Sequence, residues 1–205
     1  MSAASDDDCC GYAARADWPA EVSRRLFEEV ARIGFRERTV LEVGCGYGRI
    51  LAGALLGGAR AVSGVELDPE ALVEAGERAA RAGHRDRVTL VVGDGAMIPL
   101  APHDIVILDR VICCYDDADR LVDRSVAAAG LAYAFSVPES RGLRGLWNRL
   151  AYGVEGAWDR LRRQPRSWLH DVERIHRRLT VAGFTRAASG REGKWYLAVY
   201  RRHQG

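Results

Sequence analysis

Short apolar runs alternate along this chain with longer stretches in which apolar residues recur every three or four positions. The runs TVLEV (39–43), RAVSGVE (60–66), RVTLVV (87–92), DIVILD (104–109) and LAYAFSV (131–137) have strand length and few polar interruptions, which predicts strands buried on both faces. Helical spacing fills the intervals near 48–57, 69–82 and 117–129. Such alternation implies parallel pairing through right-handed crossovers. The second of these helices is punctuated at both ends, with Asp68 as cap, Pro69 in its first turn and Gly83 beyond its last. Upstream, Val22, Leu26, Val30 and Ile33 recur at helical spacing before Gly34, and Asp17 is expected to cap that helix with Trp18 and Pro19 in the first turn.

After Pro138 the rhythm breaks. Residues 139–170 carry Trp147, Trp158, Trp168, Leu143, Leu146, Leu150 and Leu161 among seven arginines, an amphipathic pattern that predicts a helical lid inserted before the final helix. Residues 171–184 resume helical spacing, and two strand-like runs follow, 184–189 and 194–201. Gly190 and Gly193 between them suggest an antiparallel hairpin. The small and acidic residues 1–16 are expected to form a mobile arm on a single domain spanning 1–205.

Composition narrows the class. No apolar run approaches the roughly 20 residues of a membrane span. The opening MSAASDDDCC is acidic where a secretory signal would be basic, which points to the cytoplasm. The five cysteines include two adjacent pairs, Cys9 with Cys10 and Cys113 with Cys114, and no CxxC, so neither a disulfide framework nor a metal site is expected. Residues 1–140 hold 15 arginines against 23 acids, whereas residues 141–205 hold 15 basic residues against 5 acids. A basic end of that kind either meets an anionic partner or is a set of solvated helix faces.

The chemistry gathers at the ends of the first three strands. Gly44, Gly46 and Gly48 follow the first strand as GxGxG, and a glycine run entering a helix lets a ligand approach the backbone. Arg49 stands where a dinucleotide fingerprint has its last glycine, which weakens a pyrophosphate reading. Glu66 ends the second strand, where a carboxylate can accept both hydroxyls of a ribose. Asp94 lies between two glycines after the third strand and suits an adenine amino group.

Together EVGCGYG, GVELD and VGDGAM resemble the class I S-adenosylmethionine-dependent methyltransferases. The resemblance implies a doubly wound, Rossmann-like α/β fold with a seven-stranded, mostly parallel sheet and an antiparallel last strand. It implies S-adenosylmethionine as methyl donor, with S-adenosylhomocysteine as product. Carried over residue by residue, the cofactor site comprises Glu42, Gly44, Gly46, Glu66 and Asp94, with Cys45, Leu67, Gly95, Ala96 and Asp109 beside them. Farther on, LDRVICCYDD (108–117) and FSVPES are similar to the magnesium-protoporphyrin O-methyltransferase group, many of whose members have histidine at the position of Cys114.

Methyl transfer is an in-line displacement that mainly requires alignment and exclusion of water. Where a base helps, Tyr115 and His170 are the candidates. Cys114, Tyr115, Trp147 and Trp168 are expected to contact the acceptor, a small flat molecule, apolar or anionic, methylated at oxygen. Three alternatives stand beside this: an RNA methyltransferase using the basic end, an arsenite methyltransferase using the paired thiols, and a noncatalytic adenosylmethionine-binding partner protein.

Overall fold

The computed structural model describes residues 17–149 and 167–202. Seven strands form one sheet: β1 (Thr39–Val43), β2 (Ala61–Glu66), β3 (Val88–Val92), β4 (His103–Asp109), β5 (Ala129–Pro138), β6 (Phe184–Glu192) and β7 (Trp195–Arg202). Five helices accompany it: α1 (Glu21–Ala31), α2 (Arg49–Leu56), α3 (Pro69–Arg81), α4 (Ala118–Ala128) and α5 (Val172–Val181). A further helical run covers 142–149. The strand order is β3-β2-β1-β4-β5-β7-β6. Strands β1 to β5 pair in parallel, and β7 runs antiparallel to both of its neighbours. This is the doubly wound sheet with a reversed last strand that the sequence predicts.

The alternation of side chains sorts the core into two layers. Val40, Ile105, Ile107, Ala134 and Val199 join residues of α1, α2 and α3 on one face, while Leu41, Val106, Leu108, Phe135 and Tyr200 join α4 and α5 on the other. Central strands buried on both faces therefore read as unbroken apolar runs.

Edge strand β3 departs from that expectation. Val91 and Val92 are 40% and 58% exposed, because β3 is the outermost strand and Leu90 is the residue that packs beneath Gly76 of α3. The first helix also starts later than expected. Ala20, in extended conformation, precedes α1 without a side-chain cap, and Asp17 pairs instead with Arg49 at 3.3 Å. The hairpin turn is tighter than the glycine spacing suggests: β6 continues through Gly190 to Glu192, and Gly193 with Lys194 forms the turn. Gly190 lies under the Arg25 guanidinium, 3.2 Å from where a Cβ would stand, and that side chain crosses from α1 to bind the Arg191 carbonyl and Glu192.

The charge asymmetry closes on itself. Arg178 of α5 binds Asp119 and Asp123 of α4, Arg174 also binds Asp119, and Arg141 and Arg191 both bind the buried Glu139. Four of the fifteen basic residues of 141–205 thus neutralise acids from the first 140 residues. Among the described residues no helix is long and apolar enough to cross a membrane. The expected arm with Cys9 and Cys10, and residues 150–166 of the expected lid with Trp158, lie outside the described residues.

Candidate functional site

The sheet order reverses direction at β1 and β4: the chain winds outward from β1 to β3, then crosses to β4 and continues the other way. At such a switch point the crossover loops part, and a crevice opens beyond the carboxyl ends of the strands.

The loop after β1 builds one wall. Gly44, Gly46 and Gly48 all have positive φ, of 72°, 48° and 69°. A Cβ on Gly44 would lie 2.6 Å from Val111, and one on Gly48 would lie 2.8 Å from Ala75, so these two glycines serve close packing. Nothing lies within 4 Å of a Cβ on Gly46, whose open side is the crevice. Cys45 is turned into the core against Gly64, and burial pushes its thiol up, so its main chain is what it offers a ligand.

Carboxylates line the remaining walls. Glu66 Oε2 accepts from the Gly46 N–H at 2.9 Å, and its Oε1 accepts from Leu67 at 2.7 Å and Asp68 at 3.2 Å. Asp94 Oδ1 accepts from the Ala96 N–H at 2.8 Å and from the Tyr115 hydroxyl at 2.7 Å. Asp109 Oδ1 accepts from the Ser136 hydroxyl at 2.6 Å. Glu42 is 4% exposed, and its Oε2 has no hydrogen-bond partner among the described residues. Burial first, then the charges of Asp109 and Glu66, hold its carboxyl well above the ordinary range.

Two adjoining lobes result, sharing Gly44, Asp109 and Arg110. One, of about 400 Å³, is lined by Glu66, Gly95, Cys114, Tyr115 and Trp195; the other, of about 290 Å³, by Glu42, Gly46 and Arg49.

The expected acceptor residues divide. Cys114 and Tyr115 line the larger lobe, and Cys113 lies beside them. The Tyr115 phenol is pushed up by burial and by its bond to Asp94, which makes it a donor. His170 is turned away: its Nε2 donates to the Tyr115 carbonyl at 2.8 Å, and it lines a separate depression with Asp116 and Arg174. Trp147 is 73% exposed on the 142–149 run and is not among the cleft residues. Trp168 is anchored by its N–H to the Cys113 carbonyl at 2.7 Å, and its neighbour Ser167 lines the cleft.

Arg110, Val111 and Trp195 are cleft residues that the sequence reading passed over. A signal for Trp195 was present. It begins the reversed strand, and the amino end of an antiparallel strand lies at the carboxyl edge of its parallel neighbours, as its pairing partner Pro138 shows.

Residues 40–129 match the methyltransferase-domain family. The ribosomal protein L11 methyltransferase of Stenotrophomonas maltophilia (strain K279a) is 34% identical over 107 residues, which is 52% of this chain and 34% of that protein. The chain thus spans about a third of the length of the curated relatives it matches. Among solved structures, the magnesium protoporphyrin IX methyltransferase of Synechocystis PCC 6803 with bound SAH superposes with a TM-score of 0.69 at 18% identity, covering 96% of this chain and 94% of that one. An O-methyltransferase family protein from Burkholderia thailandensis gives 0.68 at 18% identity, over 90% and 57%. Residues 40–129 thus carry a methyltransferase domain, and the seven-stranded sheet around it has the fold of the magnesium protoporphyrin IX methyltransferase.

Proposed function

We propose that the protein transfers a methyl group from S-adenosylmethionine to an oxygen of a small acceptor. The observation that carries this is the buried Glu42 carboxyl, whose Oε2 has no partner among the described residues, opening on the crevice that Glu66 and Asp109 also line. The charges of Glu66 and Asp109 disfavour a pyrophosphate, and a cationic ligand that carries a diol would satisfy them and draw the Glu42 proton off.

The residues present fit that cofactor. The Gly44–Gly46 backbone and Glu42 would hold its amino-acid end, Glu66 its ribose hydroxyls, and Gly95, Ala96 and the free Oδ2 of Asp94 its adenine. When bound, it supplies an electrophilic methyl group on a sulfonium. The chain's own task is to align an acceptor and exclude water. Tyr115 keeps its proton for Asp94, and His170 binds a backbone carbonyl, so neither is placed to take a proton from the acceptor. An acceptor that ionises unaided, a carboxylate or an acidic phenol, suits this arrangement. The O-methyltransferase among the structural neighbours is in keeping with it. Four of the fifteen basic residues at the basic end are paired internally, which lessens the charge available to the RNA alternative.

Calorimetry with S-adenosylmethionine, S-adenosylhomocysteine and a nicotinamide dinucleotide tests the reading. The first two are expected to bind and the third not to. Binding of the dinucleotide, or of none of them, overturns it. Cofactor binding with no methyl transfer to any carboxylate or phenol in a broad panel would favour the noncatalytic alternative.

A further inference from the structure

Resting on that reading, we propose that Arg110 and Trp195 form an acceptor subsite for a planar anion, so that the methylated compound is a flat, aromatic molecule bearing a carboxylate.

Arg110 is held in an unusual conformation. Its φ is +56°, a left-handed value that is strained for a residue bearing a side chain. Such a conformation persists only where surrounding bonds over-determine it. Here they do. The Arg110 N–H donates to Ser136 Oγ at 2.9 Å, and that hydroxyl donates to Asp109 Oδ1 at 2.6 Å. Asp109 and Ser136 are register partners on β4 and β5, so the clamp is built into the sheet. The Arg110 carbonyl accepts from the thiols of Cys113 at 3.3 Å and Cys114 at 3.7 Å. The vicinal cysteines thus acquire a role: they close the turn that ends β4.

The clamp places the Arg110 side chain where the two lobes meet. Its guanidinium carbon lies 5.9 Å from the Trp195 ring centroid, and Lys194 Nζ lies 5.9 Å from the same ring. The guanidinium makes no hydrogen bond to any described side chain or carbonyl, and its buried Nε is unpartnered. Asp109 Oδ2, at 3.7 Å, is an ion-pair neighbour beyond hydrogen-bond range. A planar cation on an aromatic wall with its donors free is a receptor for a carboxylate on a flat body: the fork binds the oxygens and the indole covers the ring.

The cofactor's own carboxylate is the competing occupant. The glycine-loop lobe has its own cation in Arg49, which is ion-paired with Asp17 at 3.3 Å, whereas Arg110 borders both lobes and meets the Trp195 ring in the larger one. That division assigns Arg110 to the acceptor.

The test uses the full chain saturated with S-adenosylhomocysteine, titrated with 3-hydroxy-2-naphthoate and with neutral 2-naphthol. The naphthoate is expected to bind about tenfold or more tightly, the increment of one charge-assisted bidentate contact. In Arg110→Met that preference falls to near unity, with affinity for S-adenosylhomocysteine within twofold of wild type. Arg110→Lys restores part of the preference, which distinguishes lost charge from a disturbed turn. Trp195→Leu weakens both naphthalenes. No preference in wild type, or a preference that survives Arg110→Met, overturns the subsite. A large loss of S-adenosylhomocysteine binding in Arg110→Met overturns it too, by giving Arg110 to the cofactor. Failure of the wild type to bind S-adenosylhomocysteine would instead strike the methyltransferase reading, and the subsite with it.

Discussion

Gly46 gives its backbone N–H to Glu66 Oε2 at 2.9 Å, so one carboxylate ties the loop after β1 to the end of β2. The same group also accepts from Leu67 and Asp68, and it borders the larger lobe. On the proposed reading Glu66 therefore has two tasks, shaping the loop and offering lone pairs to a diol. Glu66→Ala removes both and is expected to weaken S-adenosylhomocysteine binding by roughly 30- to 150-fold, the equivalent of about 2–3 kcal/mol for charge-assisted bonds. Glu66→Gln keeps one acceptor oxygen and should lose less. Calorimetry showing Glu66→Ala within threefold of wild type would remove Glu66 from the ribose site.

The three loop glycines should respond differently to a methyl group. At Gly44 an alanine meets Val111 at 2.6 Å and must also hold φ 72°, and at Gly48 it meets Ala75 at 2.8 Å with φ 69°. Both strain and overpacking apply, together a loss of about 2–4 kcal/mol in stability. At Gly46 only the strain of φ 48° applies, and the methyl projects into the crevice. Gly46→Ala is expected to melt closer to wild type than the other two while losing more affinity per degree lost. Thermal melts and S-adenosylhomocysteine titrations on the three variants decide this, and equal melting losses would contradict it.

That contrast shows where sequence stops being informative. Three glycines at alternate positions announce a ligand loop, yet nothing in the letters separates the one facing the crevice from the two packed against Val111 and Ala75. The strands of the sheet centre were legible because burial on both faces writes itself as unbroken hydrophobicity, as in IVIL of β4. Val91 and Val92 look the same on paper but lie on an edge, and edge position is a property of the strand order. Trp195 and Arg110 were passed over because they reach the cleft through a reversed strand and a left-handed turn. The local pattern encodes neither.

Tyr115 and His170 form a chain that ends on Asp94: the His170 ring donates to the Tyr115 backbone, and the Tyr115 hydroxyl donates to Asp94. Burial lowers the affinity of His170 for a proton, and burial with Asp94 raises that of Tyr115. On the proposed reading both groups therefore act by position. Tyr115→Phe is expected to weaken cofactor binding by about fivefold to tenfold, for one hydrogen bond to a charged partner, and to leave the shape of the pH–rate profile unchanged. A lost limb of that profile in Tyr115→Phe or His170→Ala would restore a base role to the residue concerned.

Glu139 sits buried between Arg191, at 2.5 Å, and Arg141, at 3.1 Å. Burial works to raise its proton affinity, but the two guanidinium bonds prevail and hold the carboxyl below its ordinary value of 4.5. A carboxyl lowered in the folded state adds stability above its unfolded pKa and loses it as pH falls through the folded value. Glu139→Gln is therefore expected to melt well below wild type at pH 7, the gap narrowing once the pH drops below 4.5. A gap that stays constant from pH 7 to pH 3 would mean that the ion pairs contribute nothing.

Glu42 has the opposite sign. Its folded carboxyl binds a proton more tightly than the unfolded one, because burial comes first and Asp109 and Glu66 add their charge. Above pH 4.5 the unfolded chain gives up this proton while the native state keeps it, so stability falls as the pH rises toward the folded value. Glu42→Gln has nearly the same shape and nothing to ionise. It is expected to be more stable than wild type at pH 8 without ligand, with the advantage shrinking toward pH 4.5. A cationic ligand reverses the balance, since an ammonium or sulfonium beside Glu42 favours the carboxylate. Binding should then release up to one proton per ligand, read as a dependence of the calorimetric enthalpy on the ionisation enthalpy of the buffer. In Glu42→Gln that dependence should vanish, and affinity for S-adenosylhomocysteine should fall about tenfold or more with the lost charge-assisted contact. Proton release that persists in Glu42→Gln would place the titrating group elsewhere, and a variant less stable than wild type at pH 8 would show that the carboxyl's bond to the Leu51 backbone outweighs the cost of its burial.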